Sequence, residues 1–140
     1  MEFPVTFLPP LVRTCTDSGE GPWNELLGVI APMNRDGARV RAGIDVVVED
    51  LFGGWPVERV VATALDDGLA RHHPLLFVVD ERALADHGFP VVAADLRDEP
   101  GRTFRIAAAE IPALPGSATA FAAHADHAEL QPDRIFRGFG

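Results

Sequence analysis

Apolar residues in this chain gather into short, nearly unbroken runs, and three of the runs end on acids: Ile44-Asp45-Val46-Val47-Val48-Glu49-Asp50, Leu75-Leu76-Phe77-Val78-Val79-Asp80 and Pro90-Val91-Val92-Ala93-Ala94-Asp95-Leu96. Runs of this length, rich in β-branched residues and bounded by turn formers, read as strands buried on both faces. A first strand begins at Leu11, after Pro9-Pro10, and ends at Thr14. The second covers Arg39 to Asp50, the third Leu75 to Val79 and the fourth Val91 to Leu96. Asp98-Glu99-Pro100-Gly101 is a turn, which makes Thr103 to Ala107 the return strand of a hairpin.

Between the strands the apolar period lengthens to that of a helix. Trp23, Leu26, Leu27 and Ile30 share one face of a helix that Pro32 closes. Val57, Val60, Val61, Ala64 and Leu65 share one face of a second, from Pro56 at its first position to about Ala70. Asp80 caps a short helix over Glu81 to Asp86, and an Ala-rich helix runs from Pro115-Gly116-Ser117 to about Leu130. The tail, Ile135 to Phe139, carries two Phe residues and an Ile, a composition that docks on something.

The order βαβαβ(α)ββα specifies one α/β domain over residues 1–140. The expected sheet is mixed and mostly parallel, with about five strands, helices on both faces and a C-terminal antiparallel hairpin. Parallel pairing of the first three strands brings their carboxyl ends to one edge, where open α/β sheets bind ligands. Asp17, Glu49, Asp50 and Asp80 then fall at that edge. Asp17, Asp50 and Asp80 are the candidate catalytic residues, holding a hard cation or poising one acid with a raised pKa. Capping alone also selects Asp at strand-to-helix junctions, so each acid has a structural explanation beside the chemical one. Asp95 leaves the group because its strand leads into the hairpin.

Charge removes several classes of function. Acids outnumber bases 21 to 12, a net charge of −9, which opposes binding to nucleic acid phosphates. Every base is Arg, and the absence of Lys and Tyr excludes Schiff-base lysines, lysine general bases and tyrosine acids. It also excludes the P-loop, whose motif requires Lys. No run reaches the roughly 20 apolar residues of a membrane span, and Met1-Glu2-Phe3-Pro4 lacks the pattern of a signal peptide, so a cytoplasmic location is expected. Cys15 is the only cysteine, without a base paired to it, and reads as passive.

Two further groups carry chemistry. His124 and His127 stand three apart on a helix, a metal-ligand spacing, but no third ligand accompanies them and no metal or cofactor is expected. His72-His73-Pro74 closes a helix and reads as an exposed pair. Arg102, Arg105, Arg134 and Arg137 lie beside aromatic residues, a pairing that grips carboxylates unless salt bridges to the chain's own acids consume it. Trp55, between Gly54 and Pro56, is a candidate surface anchor. The candidate binding residues are therefore Trp55, Arg102, Arg105, Arg137 and Phe139.

Leu11-Val12-Arg13-Thr14 with an acidic loop and Trp23, Phe77-Val78-Val79-Asp80, Asp95-Leu96, Glu99-Pro100-Gly101-Arg102-Thr103-Phe104-Arg105 and Phe136-Arg137-Gly138-Phe139 form a recognisable set. Together they resemble a group of small actinobacterial proteins classed as domain of unknown function 6924. The resemblance runs nearly end to end, implies a single cytoplasmic domain and transfers no catalytic residue. Cys15 stands where that pattern implies Asp, Pro115 to Thr119 replaces an Asn-rich stretch, and the His124/His127 pair is particular to this chain.

Two functions are consistent with these features. The first is a non-catalytic acidic binding protein that recognises a protein partner, in the manner of a regulatory or immunity protein neutralising a basic target, or else a small carboxylate ligand. The second is a cofactor-independent lyase, cyclase or isomerase of specialised metabolism with a pocket Asp or His as general acid or base.

Overall fold

The computed structural model describes residues 3, 6, 8–15, 20–30, 44–47, 51–114 and 121–139. Among these residues six strands form one sheet: β1 Pro10–Arg13, β2 Asp45–Val46, β3 Leu75–Val79, β4 Pro90–Asp95, β5 Thr103–Ala107 and β6 Ile135–Phe136, in the spatial order β2-β1-β3-β4-β5-β6. The helices are α1 Glu20–Ile30, α2 Val57–Asp66, α3 Glu81–Ala85 and α4 Phe121–Glu129. β1 pairs in parallel with both β2 and β3, as the alternation of strand and helix requires. β4 runs antiparallel to β3 and β5, and β6 returns parallel to β5. β4 is thus the one reversed strand, and the other five point their carboxyl ends to a common edge.

Two apolar layers sandwich the sheet. Leu11, Phe77, Val79, Val91, Ala93, Phe104 and Ile106 pack on one face against Trp23, Leu26 and Ile30 of α1, Ala83 and Leu84 of α3, and Phe121, Ala125 and Ala128 of α4. Val12, Leu76, Val78, Val92 and Ala94 face the other way, against Val60, Val61 and Ala64 of α2. Both faces of β3 and β4 are buried, which is why their sequences are solidly apolar. β5 alternates instead: Phe104 and Ile106 are buried, whereas Thr103 is exposed and Arg105 half-buried on the face of α2. The layer above that part of the sheet is consequently open.

Several expected boundaries shift for local reasons. Pro56 is the N-cap of α2 rather than its first residue, with extended backbone at φ −63°, ψ 148°. The helix stops at Asp66 because Gly68 takes a left-handed φ of 77°, and Leu69–Arg71 continues as a 3₁₀ turn. A second 3₁₀ segment, Ala108–Ala113, follows β5, where Pro112 and an alanine run give no clear period. Of the expected long second strand only Asp45–Val46 is paired among the described residues; residues 39–43 and 48–50, and 115–120 before α4, lie outside them. The tail does dock, and as β6 it brings the strand count to six rather than about five. The hairpin β4–β5 is therefore followed by a helix and a further parallel strand. No helix among the described residues is long and apolar enough to cross a membrane.

Candidate functional site

β1 sends its crossover through α1 to β2 on one side, and β2 returns through α2 to β3 on the other. The gap between the ends of β1 and β3 is therefore a topological switch point, the usual crevice of an open α/β sheet. Thr14 and Cys15 leave β1 there and Asp80 leaves β3. The Thr14 N–H donates to the carbonyl of Val79 at 2.9 Å, and the Gly54 N–H donates to the carbonyl of Thr14 at 2.8 Å, fixing the segment before α2 against the end of β1. A groove of about 700 Å³ begins at this point and extends over the uncovered part of β5. Its walls are the starts of α2 and α3, residues Val92 and Thr103 to Arg105 of the sheet, and the turn from α4 into β6.

Asp80 and Arg105 join across the groove. Arg105 donates through Nη1 to Asp80 Oδ1 at 2.9 Å and through Nη2 to Oδ2 at 2.7 Å. Its Nη1 also donates to the carbonyl of Pro90 at 2.9 Å. Asp80 Oδ1 in turn accepts the Ala83 N–H at 3.0 Å, capping α3 as its position in the sequence predicts. Burial opposes ionisation of this carboxyl, but the hydrogen bonds from Arg105 and the Ala83 N–H, with the guanidinium charge, outweigh it and hold the group below its ordinary value. Asp80 thus carries the opposite shift from that of a poised acid.

Trp55 forms part of the wall. Its ring meets Phe52 edge-on at 5.1 Å, and the Arg59 guanidinium lies 3.9 Å from its centroid, so packing and a cation–π contact orient the indole. Cys15 borders the groove half-buried, and its carbonyl accepts Arg13 Nε at 2.7 Å. Arg134 lines the opposite wall, exposed, with its backbone in the left-handed region at φ 60°.

The other expected site residues divide. Asp17, Glu49 and Asp50 lie outside the described residues. Asp95 is buried at the opposite edge, because β4 is reversed, and its carboxylate accepts the N–H groups of Arg97, Asp98 and Glu99 to shape the hairpin turn. Arg102 is bound at that turn by Glu99, Asp126 and Glu129, which together keep its guanidinium firmly protonated. Arg137 pairs with Asp133 at 2.7 Å. Only Trp55 and Arg105 of the five candidate binding residues line the groove.

Phe139 belongs to a separate aromatic cluster. His124 is buried between Phe136 and Phe139, with both ring centroids 5.0 Å away, and His127 meets Phe139 at 5.1 Å. These imidazoles are packed as aromatic rings, and among the described residues no three His, Cys, Asp or Glu side chains are grouped to hold a metal ion. His73 corrects the expectation of an exposed pair: His72 is exposed, whereas His73 is buried with Nε2 2.9 Å from the carbonyl of Thr6.

Thr103 and Glu58 were not singled out from sequence, and both line the groove. The period-2 alternation of Thr103-Phe104-Arg105-Ile106 was the available signal, because it puts Thr103 and Arg105 on one face. Glu58 carried none beyond an acid in the first turn of a helix. No curated protein matches the chain. A family model described as a domain of unknown function matches residues 8–139, and the chain belongs to that family, DUF6924.

Proposed function

We propose that the chain is a non-catalytic binding protein of the actinobacterial cytoplasm, and that the groove at the switch point recognises a segment of a protein partner. The observation that carries this reading is the state of Asp80. Among the described residues it is the one candidate catalytic acid, it lines the groove, and Arg105 and the α3 N-terminus hold it as an anion, unsuited to donate a proton near neutral pH. No histidine lines the groove among the described residues, and Trp55 supplies an oriented aromatic wall of the kind that anchors a partner. The net charge of −9 favours encounter with a basic target, consistent with a regulatory or immunity-like role.

The test is affinity capture from the native host with the wild-type chain and with Trp55→Ala. The reading expects a basic protein retained by the wild type and lost with the variant. Equal retention by both, or none by either, sinks it.

A second reading, a cofactor-independent lyase, cyclase or isomerase, draws on the groove's place and size. Small-molecule sites span roughly 300–1,000 Å³, and the groove of about 700 Å³ falls within that range. It requires a general acid other than Asp80.

A further inference from the structure

Arg105 is only partly used. A guanidinium carries five N–H donors in a fixed plane, arranged so that two different edges each present a parallel pair. Asp80 takes the edge formed by Nη1 and Nη2, and the carbonyl of Pro90 takes the remaining hydrogen of Nη1. The second edge, made by Nε–H and the other Nη2–H, has no acceptor among the described residues. Arg105 lines the groove with 20% of its side chain exposed, so the edge belongs to an arginine that ligand can reach and that Asp80 has already immobilised. Preorganisation of this kind lowers the entropy cost of binding.

Asp80 neutralises Arg105, so a second anion on that edge needs another positive charge. Arg134 supplies it. β6 is in register with β5 such that Ile135 lies opposite Arg105, which puts Arg134 one residue away. It lines the same groove, exposed, and has no ion pair among the described residues. The adjacent acid, Asp133, is engaged by Arg137 instead. Of the arginines that line the groove, Arg82 pairs with Asp86 and Arg105 with Asp80, which leaves Arg134 without an acid among the described residues.

We propose that the free edge of Arg105, with Arg134, forms a subsite for a single carboxylate, bound in bidentate fashion. Glu58, Glu81 and Glu129 around the groove oppose further negative charge, which selects a monoanionic carboxylate over a phosphate dianion. This rests on the groove being the recognition site, but not on the size of the partner. The carboxylate has two sources: the C-terminus of a polypeptide or a free organic acid.

The experiment follows the Arg105 Nε–H resonance of the intact chain in ¹⁵N–¹H spectra during titration with benzoate, benzamide and phenyl phosphate. Benzoate shifts it saturably, benzamide does not, and phenyl phosphate binds more weakly than benzoate. Arg134→Ala, an exposed change, weakens benzoate binding roughly tenfold or more, the scale of one charge-assisted hydrogen bond. An N-acetylated alanine tripeptide with a free C-terminus binding more tightly than benzoate assigns the source to a chain terminus; the reverse order assigns it to a free acid. No saturable shift with either acid, an equal shift with benzamide, or tighter binding of phenyl phosphate overturns the subsite. A benzoate response with no protein captured from the host overturns the partner reading alone.

Discussion

Arg105 and Asp80 are 25 residues apart in sequence, yet both terminal nitrogens of the arginine meet both oxygens of the carboxylate, at 2.9 and 2.7 Å. The pair ties the end of β3 to the middle of β5 across β4, and Asp80 also caps α3. Two structural duties therefore rest on one side chain.

Those duties are separable by substitution. Asp80→Ala removes both the cap and the ion pair, and leaves the Arg105 charge partly buried; a loss of about 2–3 kcal/mol is expected. Asp80→Asn keeps a good capping side chain and loses only the charge pair, so the expected loss is about 1–2 kcal/mol. Urea denaturation measures both, and a larger loss for Asn than for Ala refutes the division.

The same pair sets an acid dependence. A carboxyl whose pKa is lower folded than unfolded stabilises the fold above its unfolded value, and that stability disappears as pH falls through the folded value. For Asp80, lowered from 3.8, the advantage of wild type over Asp80→Asn is constant above about pH 5 and shrinks as the pH falls through and below 3.8. A difference that instead grows on acidification contradicts the assigned shift.

Arg102 predicts a salt dependence. It balances Glu99, Asp126 and Glu129, which link the hairpin turn to α4. Arg102→Ala leaves these three acids facing one another, so the variant is destabilised more at low ionic strength than at high, where screening shortens the range of repulsion. Thermal midpoints over a sodium chloride series check this. Destabilisation independent of salt assigns the effect to packing.

Phe136 and Phe139 share a cluster but not a burden. Phe136 is 4% exposed between β5 and α4, and Phe136→Ala is expected to cost about 3–5 kcal/mol. Phe139 is 52% exposed and rests on His124 and His127; Phe139→Ala is expected to cost about 0.5–1.5 kcal/mol. Neither lines the groove, so benzoate titrations of Phe139→Ala match wild type.

The sheet was legible because its strands are buried on both faces: Leu75–Val79 and Pro90–Asp95 can be read as strands from composition alone. Parallel pairing of β1, β2 and β3 followed from the helices between them, and Asp80 as a cap followed from its place before Glu81. β6 was not legible as a strand, because two residues, Ile135 and Phe136, are too few for a period. The groove was legible only in part. Its edge follows from topology, but the union of Asp80 with Arg105 depends on the reversal of β4, and the presence of Arg134 in the same groove on the pairing of β6 with β5. Arg102, Arg105 and Arg137 look alike in sequence, and only their distances to particular acids separate them.

The groove's walls come from residues near 14, 55, 80, 105 and 134, spread over most of the chain. No contiguous stretch short of that span can assemble the site. A ligand that fills the groove as proposed would accordingly stabilise only the completed sheet, and its binding would measure whether the last strand, β6, has closed onto β5.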